Sequence, residues 1–392
     1  MELIQIVHGQ IAYSLDLYKK LLSLEHGNVV VSPLSISAAL AIIAGGARGE
    51  TLNQMVSHLK FADSNLMHQY FMHIRNTVLK DSSSDGGPTS NFANCLLVDK
   101  DLPLNQRYRD LIREYYGAES SAVDFPSQAE WARSQVNMWV SQQTRGKIPE
   151  LLPANLVNSA TKMIIANAIY FKGQWEKKFD SWRTRDEPFF LLDGRTVSKP
   201  MMTSNDKHYI KNYGSFKVLR LPYRKGTRGD QAFSMNILLP NSRDGLLQLE
   251  KDIDATATAW FVEHLPELRE PVPVSNFLLP RFSISTGFEV PVLLWSLGLQ
   301  LPFDPDRSDL SGMLDELPGS FPPLFISNVV HKATVEVNEE GTVATAATAT
   351  GVSFGSLALP QLEDFVADHP FLFLIREDHS GTIMFIGRVV DP

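Results

Sequence analysis

The sequence predicts an α+β protein that forms one domain. Apolar residues spaced three and four apart, the pattern of amphipathic helices, dominate the chain up to about residue 160. From about Lys162 onward the apolar runs become shorter and more continuous, as in strands. No repeat and no long linker divides the 392 residues, so we expect helices and strands to share one core.

The helical part begins near the N-terminus, where apolar residues recur on one face from Ile4 to Leu22. Residues 29–31 predict a short strand. Ser32-Pro33 then predicts the start of a second helix, because serine caps helices and proline is favoured at their first position. Gly45-Gly46 predicts the end of that helix. Further helices are predicted over residues 51–59, 66–79, 108–116 and 129–144.

The strand-rich part begins with residues 163–170, a nearly continuous apolar run that predicts a strand buried on both faces. Further strands are predicted over residues 234–239, 272–283 and 334–337. The last two apolar segments, residues 371–375 and 383–390, predict a hairpin because Asp378-His379-Ser380-Gly381 between them favours a turn.

Composition limits the function. The formal net charge of −8 argues against binding to nucleic acid, which usually requires a basic face. Cys95 is the only cysteine, so neither an intramolecular disulfide nor a metal site built on several thiolates is expected. We find no signal-peptide pattern and no apolar run of membrane length. Together these observations predict a protein of the cytoplasm or nucleus without a membrane partner, with an extracellular location left open.

One motif suggests catalysis. Gly351-Val352-Ser353-Phe354-Gly355 matches the nucleophile elbow of α/β-hydrolases, and three residues follow it in the order of a catalytic triad: Asp364, Asp368 and His369. The elbow requires a strand before the serine and a helix after it. Here an Ala/Thr run precedes the motif and Leu357-Ala358-Leu359-Pro360 follows it. A serine hydrolase using Ser353 is therefore a distant alternative, and we predict no catalytic residue and no metal site.

The most unusual stretch runs from Gly341 to Ala358. It carries no charge and no proline, and residues 342–350 are almost entirely Ala and Thr. In an extended conformation, alternate residues of this stretch share one face, and all of them are small: Thr342, Ala344, Ala346, Thr348 and Thr350. Flexible linkers are instead usually charged or rich in Gly, Ser and Pro. The stretch is therefore predicted to be a loop that can adopt strand geometry.

Five separated segments, in the correct order, resemble the serpin family. They correspond to the family's helix B, helix F, the central strand of sheet A, the hinge of its loop and the return into sheet B: residues 28–37, 137–148, 167–175, 331–342 and 365–371. The sequence of the last segment is typical of plant serpins. The resemblance implies a single serpin domain over residues 1–392, with three β-sheets, about nine helices and an exposed reactive-centre loop.

The resemblance also places the hinge and reactive-centre loop at residues 339–359. The hinge would comprise Glu339, Glu340, Gly341, Thr342, Ala344 and Ala346. Counting fifteen residues from Gly341 puts the bond that a protease would cleave at Gly355-Ser356. Phe354 and Leu357 are the register alternatives.

A serpin is not an enzyme: the resemblance implies an endopeptidase inhibitor that acts as a suicide substrate. The protease forms an acyl-enzyme with the loop, and the freed loop inserts into sheet A before the acyl bond hydrolyses. The implied partner is a serine protease or a papain-like cysteine protease, and the implied inhibitor is a monomer without a cofactor. Val343 replaces the hinge's usual glutamate and Thr345 an alanine, so the alternative is a serpin-fold protein that has lost inhibition and serves in binding or storage.

The resemblance finally assigns two groups of supporting residues. Ser32, Ser35, Asn167 and His331 match the family's polar cluster beneath the point where sheet A opens. Trp175 and Arg281 match residues near the base of the loop, where family members pair a base with an acid, here Arg281 with Glu339. Since buried polar groups must be hydrogen-bonded, the first group is expected to hold the sheet in one of two arrangements.

Overall fold

A computed structural model of the protein describes residues 2–265, 268–315, 324–326, 328–341 and 362–392. Within these ranges the chain forms eight α-helices, together with short 3₁₀ turns, close to the predicted number. The helices are α1 Glu2–Leu22, α2 Pro33–Ala44, α3 Gly49–His58, α4 Ser64–Thr77, α5 Gln106–Tyr116, α6 Phe125–Gln143, α7 Leu246–His264 and α8 Val290–Ser296.

The described strands form three β-sheets, which confirms the predicted α+β class and sheet number. Sheet A, in spatial order, contains β11 Phe282–Glu289, β12 Asn328–Val337, β4 Met163–Lys172, β2 Thr89–Asp99 and β3 Glu119–Val123. Sheet B contains β1 Val29–Val31, β15 Ile383–Val389, β14 Phe371–Glu377, β9 Phe233–Pro240, β8 Phe216–Pro222 and β7 Tyr209–Asn212. Sheet C contains β13 Glu363–Val366, β10 Val274–Pro280, β6 Thr196–Met202 and β5 Arg185–Phe190.

The main core forms around α2 and the inner faces of the sheets. All twelve residues of α2 are buried, as expected for a helix that is apolar all round. Strand β4 is buried on both faces: Ile165 and Ile169 enter the main core, whereas Ile164 and Ala168 enter a smaller cluster beneath α6. The predicted doubly buried strand is thus confirmed, and β4 separates the two clusters.

The predicted strand over residues 272–283 is wrong as a single element. The chain forms β10 up to Pro280 and pairs it with sheet C, and it resumes as β11 at Phe282 in sheet A. The amide of Arg281, between the two strands, donates to the carbonyl of Pro200 at 2.9 Å. The chain therefore keeps one bond to sheet C at Arg281 and pairs with sheet A from Phe282 onward.

The predicted helices exist, with shifted ends. The largest shift is in α6, where a first turn begins at Phe125, capped by the Asp124 carboxylate, which accepts from the amide of Ser127 at 3.2 Å. The backbone is non-helical at Gln128, with φ of −134°, so the uninterrupted part of α6 begins at residue 129, as predicted. The C-terminal hairpin is confirmed as β14 and β15. The strands β2, β3 and β5 to β8 were not predicted, since their sequences do not form long apolar runs. No helix in the described ranges is both long and apolar enough to cross a bilayer.

Candidate functional site

The candidate site is an incomplete strand pairing in the middle of sheet A. Strands β4 and β12 lie side by side and parallel, with Ile164 opposite Asn328 and Ala166 opposite Val330. The register covers three residue pairs, although β4 continues to Lys172 and β12 to Val337. Among the described residues, no β-pairing between these strands continues past Ala166 and Val330. We call this unpaired interval between the two strands the seam.

Polar side chains stand where the pairing stops. Asn167 and His331 are the next residues of β4 and β12 after the last pair, so they face the lower end of the seam. The amide of Ser32 donates to Nε2 of His331 at 3.2 Å, and the Ser32 hydroxyl accepts from the amide of Ser35 at 3.3 Å. Three of the four predicted residues are therefore brought together by α2 and its cap.

The fourth predicted residue, Asn167, has a partner that the sequence did not indicate. Its side-chain amide donates to the Asn94 Oδ1 atom at 2.6 Å, and Asn94 lies directly opposite it on β2. Several atoms of this polar cluster have no hydrogen-bond partner within the described ranges: Ser35 Oγ, Asn94 Nδ2, Asn167 Oδ1 and His331 Nδ1. These four atoms have hydrogen-bonding capacity that no protein group in the described ranges uses.

His331 is neutral in this environment. Burial lowers the pKa of His331 to about 3. Because Nε2 accepts a hydrogen bond from Ser32, the ring proton belongs on Nδ1, the atom without a partner. The imidazole therefore presents an unused donor at the lower end of the seam.

The upper end of the seam is closed by the segment that follows β4. The amide of Trp175 donates to the carbonyl of Glu340 at 2.9 Å, and its indole N–H donates to the carbonyl of Asn338 at 2.9 Å. Its ring stacks on Tyr223, with centroids 4.6 Å apart. Gln174 and Gly341 form an isolated β-bridge beside it. Trp175 therefore holds the end of β12 from its backbone and its side chain together.

At Gly341, the last hinge residue that the structure describes, the backbone leaves no room for a side chain. Its φ is +124°, and a β-carbon there would lie 2.3 Å from the carbonyl oxygen of Gly173. Any other residue would push the chain away from Gln174 and Trp175. The glycine thus permits the close approach of the hinge backbone to residues 173–175.

The predicted pair of Arg281 and Glu339 is present. The Arg281 Nε atom donates to the Glu339 carboxylate at 2.7 Å, and the Thr184 hydroxyl donates to the same oxygen. Burial alone would raise the pKa of Glu339, but these hydrogen bonds bring it below its ordinary value. Glu340 forms a separate ion pair with Lys178 at 2.6 Å. Both hinge glutamates are therefore anchored by basic side chains, and Thr184 and Lys178 are partners that the sequence did not reveal.

The loop itself lies outside the described residues. Thr342, Ala344, Ala346 and the departures Val343 and Thr345 fall in the interval 342–361, as do Ser353, Phe354, Gly355, Ser356 and Leu357. The chain is described again from Leu362, just before β13, which runs parallel to β10 in sheet C.

The residues proposed to complete a hydrolase triad have other partners. The Asp368 carboxylate lies 2.6 Å from Nδ1 of His369, and Nε2 of His369 lies 2.8 Å from the carbonyl of Pro240. A carbonyl can only accept, so Nε2 carries a proton and cannot take one from a serine. Asp364 accepts from the amide of Asn276 at 3.0 Å. The geometry of the described residues disfavours the hydrolase alternative.

Comparison with known proteins assigns the class. A family model described as Serpin (serine protease inhibitor) matches residues 8–392. Together with the three sheets and the open seam, this match defines the chain as a member of the serpin family.

The named relatives are plant serpins. Serpin-ZX of Hordeum vulgare is 46% identical over 371 residues, which cover 93% of this chain and 90% of that protein. Serpin-ZX of Arabidopsis thaliana is 42% identical and covers 94% and 93%, respectively. The solved structure of Arabidopsis AtSerpin1 in a native stressed conformation matches with a TM-score of 0.90 at 39% identity, over 100% of this chain and 99% of that one.

The buried neutral His331 predicts a specific pH dependence. Its pKa is about 3 in the folded protein and about 6.5 in an unfolded chain, so between these values the unfolded chain binds the extra proton. The stability contributed by the neutral ring is complete above about pH 6.5 and decreases as pH falls toward about 3. His331→Gln should therefore flatten the decline of the urea-unfolding midpoint between about pH 7.5 and about pH 5.

The matched control is His68→Gln. Burial also lowers the pKa of His68, to about 4, but His68 lies against Tyr116 beside the C-terminal end of α2, the end opposite the Ser32 cap. Both substitutions should flatten the dependence of the urea-unfolding midpoint on pH. Only His331→Gln should also change the rate at which the cleaved loop inserts into sheet A. An unchanged pH profile in His331→Gln would contradict a neutral buried ring.

Proposed function

We propose that the protein inhibits an endopeptidase as a suicide substrate, by inserting its cleaved reactive-centre loop into the seam of sheet A. The observation that carries this proposal is the pairing of β4 with β12 over three residue pairs only, while both strands continue. Because the ladder between these parallel neighbours is incomplete, separating them to admit one more strand breaks few backbone hydrogen bonds.

The direction of the chain supports this use of the seam. The loop follows Gly341, at the upper end of β12, so a segment that turns back into the seam would run antiparallel to β12 and to β4. An antiparallel strand can pair with both neighbours through regular ladders. Insertion would convert a five-stranded sheet into a six-stranded one and satisfy the facing edges of β4 and β12.

The residues of the loop suit such insertion. The alternate residues from Thr342 to Thr350 are small and uncharged, so one face of the inserted strand could lie against a packed core. At the lower end of the seam, an inserted strand would also bring partners to Nδ1 of His331 and Oδ1 of Asn167. Hydrogen bonds gained there would add to the driving force for insertion.

The protein supplies the loop that is cleaved and the free energy of its insertion, whereas the target protease supplies the nucleophile. The nucleophile attacks the scissile carbonyl, expels the amine of the next residue and remains attached to the loop as an ester or thioester. Insertion then competes with hydrolysis of that acyl bond. Inhibition results when insertion is faster, because the attached protease is carried across the molecule before water releases it.

The family assignment supports the proposal. The matching family is described as a serine protease inhibitor, and the Arabidopsis structure that resembles this chain over its whole length is titled a native stressed conformation. Release of such stress is what a suicide mechanism requires. A monomeric state and a location in the cytoplasm or nucleus stay predictions.

A serpin-fold protein without inhibition, serving in binding or storage, is the second candidate. Val343 and Thr345 in the hinge favour it, because both depart from the family's pattern, and Gly351 and Gly355 each raise the ordering cost of insertion by about 0.5–1 kcal/mol. Incubation with a panel of serine and papain-like proteases distinguishes the candidates: an SDS-stable complex indicates inhibition, whereas clean cleavage indicates a substrate. A hydrolase using Ser353 would instead turn over an ester and lose that activity on Ser353→Ala.

Cleavage of the loop between Gly351 and Leu359 should raise the thermal stability markedly, because the freed segment fills the seam. The measurement is the melting temperature before and after limited proteolysis, with the cleaved bond mapped by mass spectrometry. A melting temperature that does not move after clean cleavage would indicate a loop that does not insert.

Thr342→Arg should convert an inhibitor into a substrate. Arginine at the first inserting position would bury a charge without a partner, which slows insertion while leaving cleavage intact. The ratio of stable complex to cleaved product should fall sharply, and Thr342→Ser is the matched control that should preserve it. Undiminished complex formation by Thr342→Arg would show that this position does not face the core.

Trypsin-like proteases should be poor targets of the natural protein. From Thr342 to Leu362 the sequence has no Lys or Arg, so a specificity pocket with a buried aspartate finds no partner. Gly355→Arg should create inhibition of trypsin if the hinge is competent, and the cleaved bond in the natural protein should lie after Phe354, Gly355 or Leu357. Efficient trapping of trypsin by the unmodified protein would refute both the predicted position of the cleaved bond and the predicted preference against trypsin-like proteases.

A further inference from the structure

An open cleft of about 420 Å³ lies beyond the lower end of sheet A. Strand β11 starts beside the upper part of β12, where Phe282 pairs with Val337, and ends lower down, where Glu289 pairs with Val330. Helix α8 follows Glu289 directly, and Trp295 near the end of this helix lines the cleft. The cleft therefore lies at the end of the molecule opposite the hinge. Its volume is within the roughly 300–1,000 Å³ of ligand-binding pockets.

The walls of the cleft are joined by hydrogen bonds to backbone groups. The side-chain oxygen of Gln54, on α3, accepts from the amides of Gln300 and Leu301 at 3.0 and 2.8 Å. The Thr51 hydroxyl, also on α3, accepts from the amide of Asp309 at 3.0 Å. These bonds fix the segment after α8 against α3, so the cleft is preformed and a ligand need not organise it.

One face of α3 presents polar side chains to the cleft. Glu50, Asn53 and Gln54 are spaced three and four residues apart and line the cleft. Thr51 and Met55 of the same helix are buried instead. In the described part of the chain, no hydrogen bond or ion pair uses the Glu50 carboxylate, the Asn53 side chain or the N–H groups of the Gln54 amide. This wall therefore offers both acceptors and donors to a ligand.

Helix α8 and the segment after it add an indole and a guanidinium. Trp295 is 48% exposed, and within the described residues its indole N–H has no acceptor and its ring has no aromatic neighbour. The Asp304 carboxylate accepts from the amides of Asp306 and Arg307 at 2.9 and 3.2 Å, which holds the turn that carries Arg307. The Arg307 side chain forms no ion pair with the residues that the structure describes. An aromatic surface and a planar cation are thus both open to a ligand.

This combination of side chains suits a neutral sugar. A pyranose ring carries C–H groups on its faces, which pack against an exposed aromatic ring, and hydroxyls at its rim, which both donate and accept hydrogen bonds. The carboxylates of Glu50 and Asp304 can accept from these hydroxyls. The amide of Asn53 and the guanidinium of Arg307 can donate to them. Two carboxylates and one guanidinium give the cleft no excess of positive charge, so a phosphate or sulfate ligand is disfavoured.

We propose that this cleft binds a neutral oligosaccharide, with one sugar ring against the indole of Trp295 and its hydroxyls bonded by Arg307 and the polar side chains of α3. The proposal goes beyond inhibition and does not depend on it. Because the cleft and the hinge lie at opposite ends of the molecule, a bound polysaccharide leaves the start of the loop at Gly341 uncovered. The cleft thereby determines where the protein is retained and leaves the choice of protease to the loop.

Binding is measured on the full-length protein with three neutral oligosaccharides: maltohexaose, cellohexaose and xylohexaose. Saturation-transfer difference NMR and calorimetric titration should show that at least one of them binds with a dissociation constant in the millimolar range, because an open cleft buries only part of a flexible ligand. Trp295→Ala should weaken that binding about tenfold, since it removes the aromatic surface, whereas Trp295→Phe should retain most of it. Asn53→Ala, at an exposed position, should weaken it about two- to tenfold.

The matched control is Trp182→Ala. Trp182 is 81% exposed and lies in the short turn between β4 and β5, outside the cleft. This control should bind like the natural protein, and every variant should keep the natural melting temperature because the substituted side chains are exposed.

Four outcomes would each overturn the site: no binding of any of the three oligosaccharides, natural binding by Trp295→Ala, equal loss of binding in Trp182→Ala, or displacement of the oligosaccharide by inorganic sulfate. Inhibition is measured separately as an SDS-stable complex with a protease. Failure of the oligosaccharide site and failure of the proposed function are therefore distinguishable.

Discussion

The arrangement of this molecule depends on a strand pairing that is left incomplete. Two parallel neighbours in sheet A share three residue pairs and then separate, although both strands continue. Backbone groups along the separated edges lack a strand to pair with, and such edges are costly in a folded protein. The polar residues lie at the lower end of this interval, and the Trp175 contacts lie at its upper end.

Four buried polar atoms without a protein partner, on Ser35, Asn94, Asn167 and His331, lie together at the lower end of the seam. Other atoms of this kind in the described ranges lie elsewhere in the fold, for example on Tyr13, His58 and Arg376. Natural proteins tolerate such violations mainly where function uses them. The anchored glutamates at the other end show the opposite design, since Glu339 and Glu340 each have a basic partner. The upper end therefore holds both hinge glutamates beside basic side chains, immediately before the loop begins.

Much of the fold followed from the sequence, and the reasons for the failures are physical. Apolar runs and caps predicted α2, β4 and the last hairpin, because burial and capping leave local patterns. The pairing of Arg281 with Glu339 came from the family resemblance. Residues such as Asn94, Thr184 and Lys178 could not be found in this way, since their roles arise from contacts with residues far away in the chain. The three-pair register of β4 with β12 likewise depends on the whole sheet, and no local pattern encodes it.

The consecutive strands β10 and β11, which extend from Val274 to Glu289, connect the two sides of the loop. Its first half pairs with β13, which receives the chain after the loop, and its second half pairs with β12, which carries the chain up to the loop. The strands on both sides of the loop, β12 and β13, therefore pair with one chain segment, which bends at Arg281. The distance between the two ends of the loop is set by this segment and does not depend on the residues in the loop. The sequence of the loop, and with it the target protease, can therefore change while the two flanking strands stay in place.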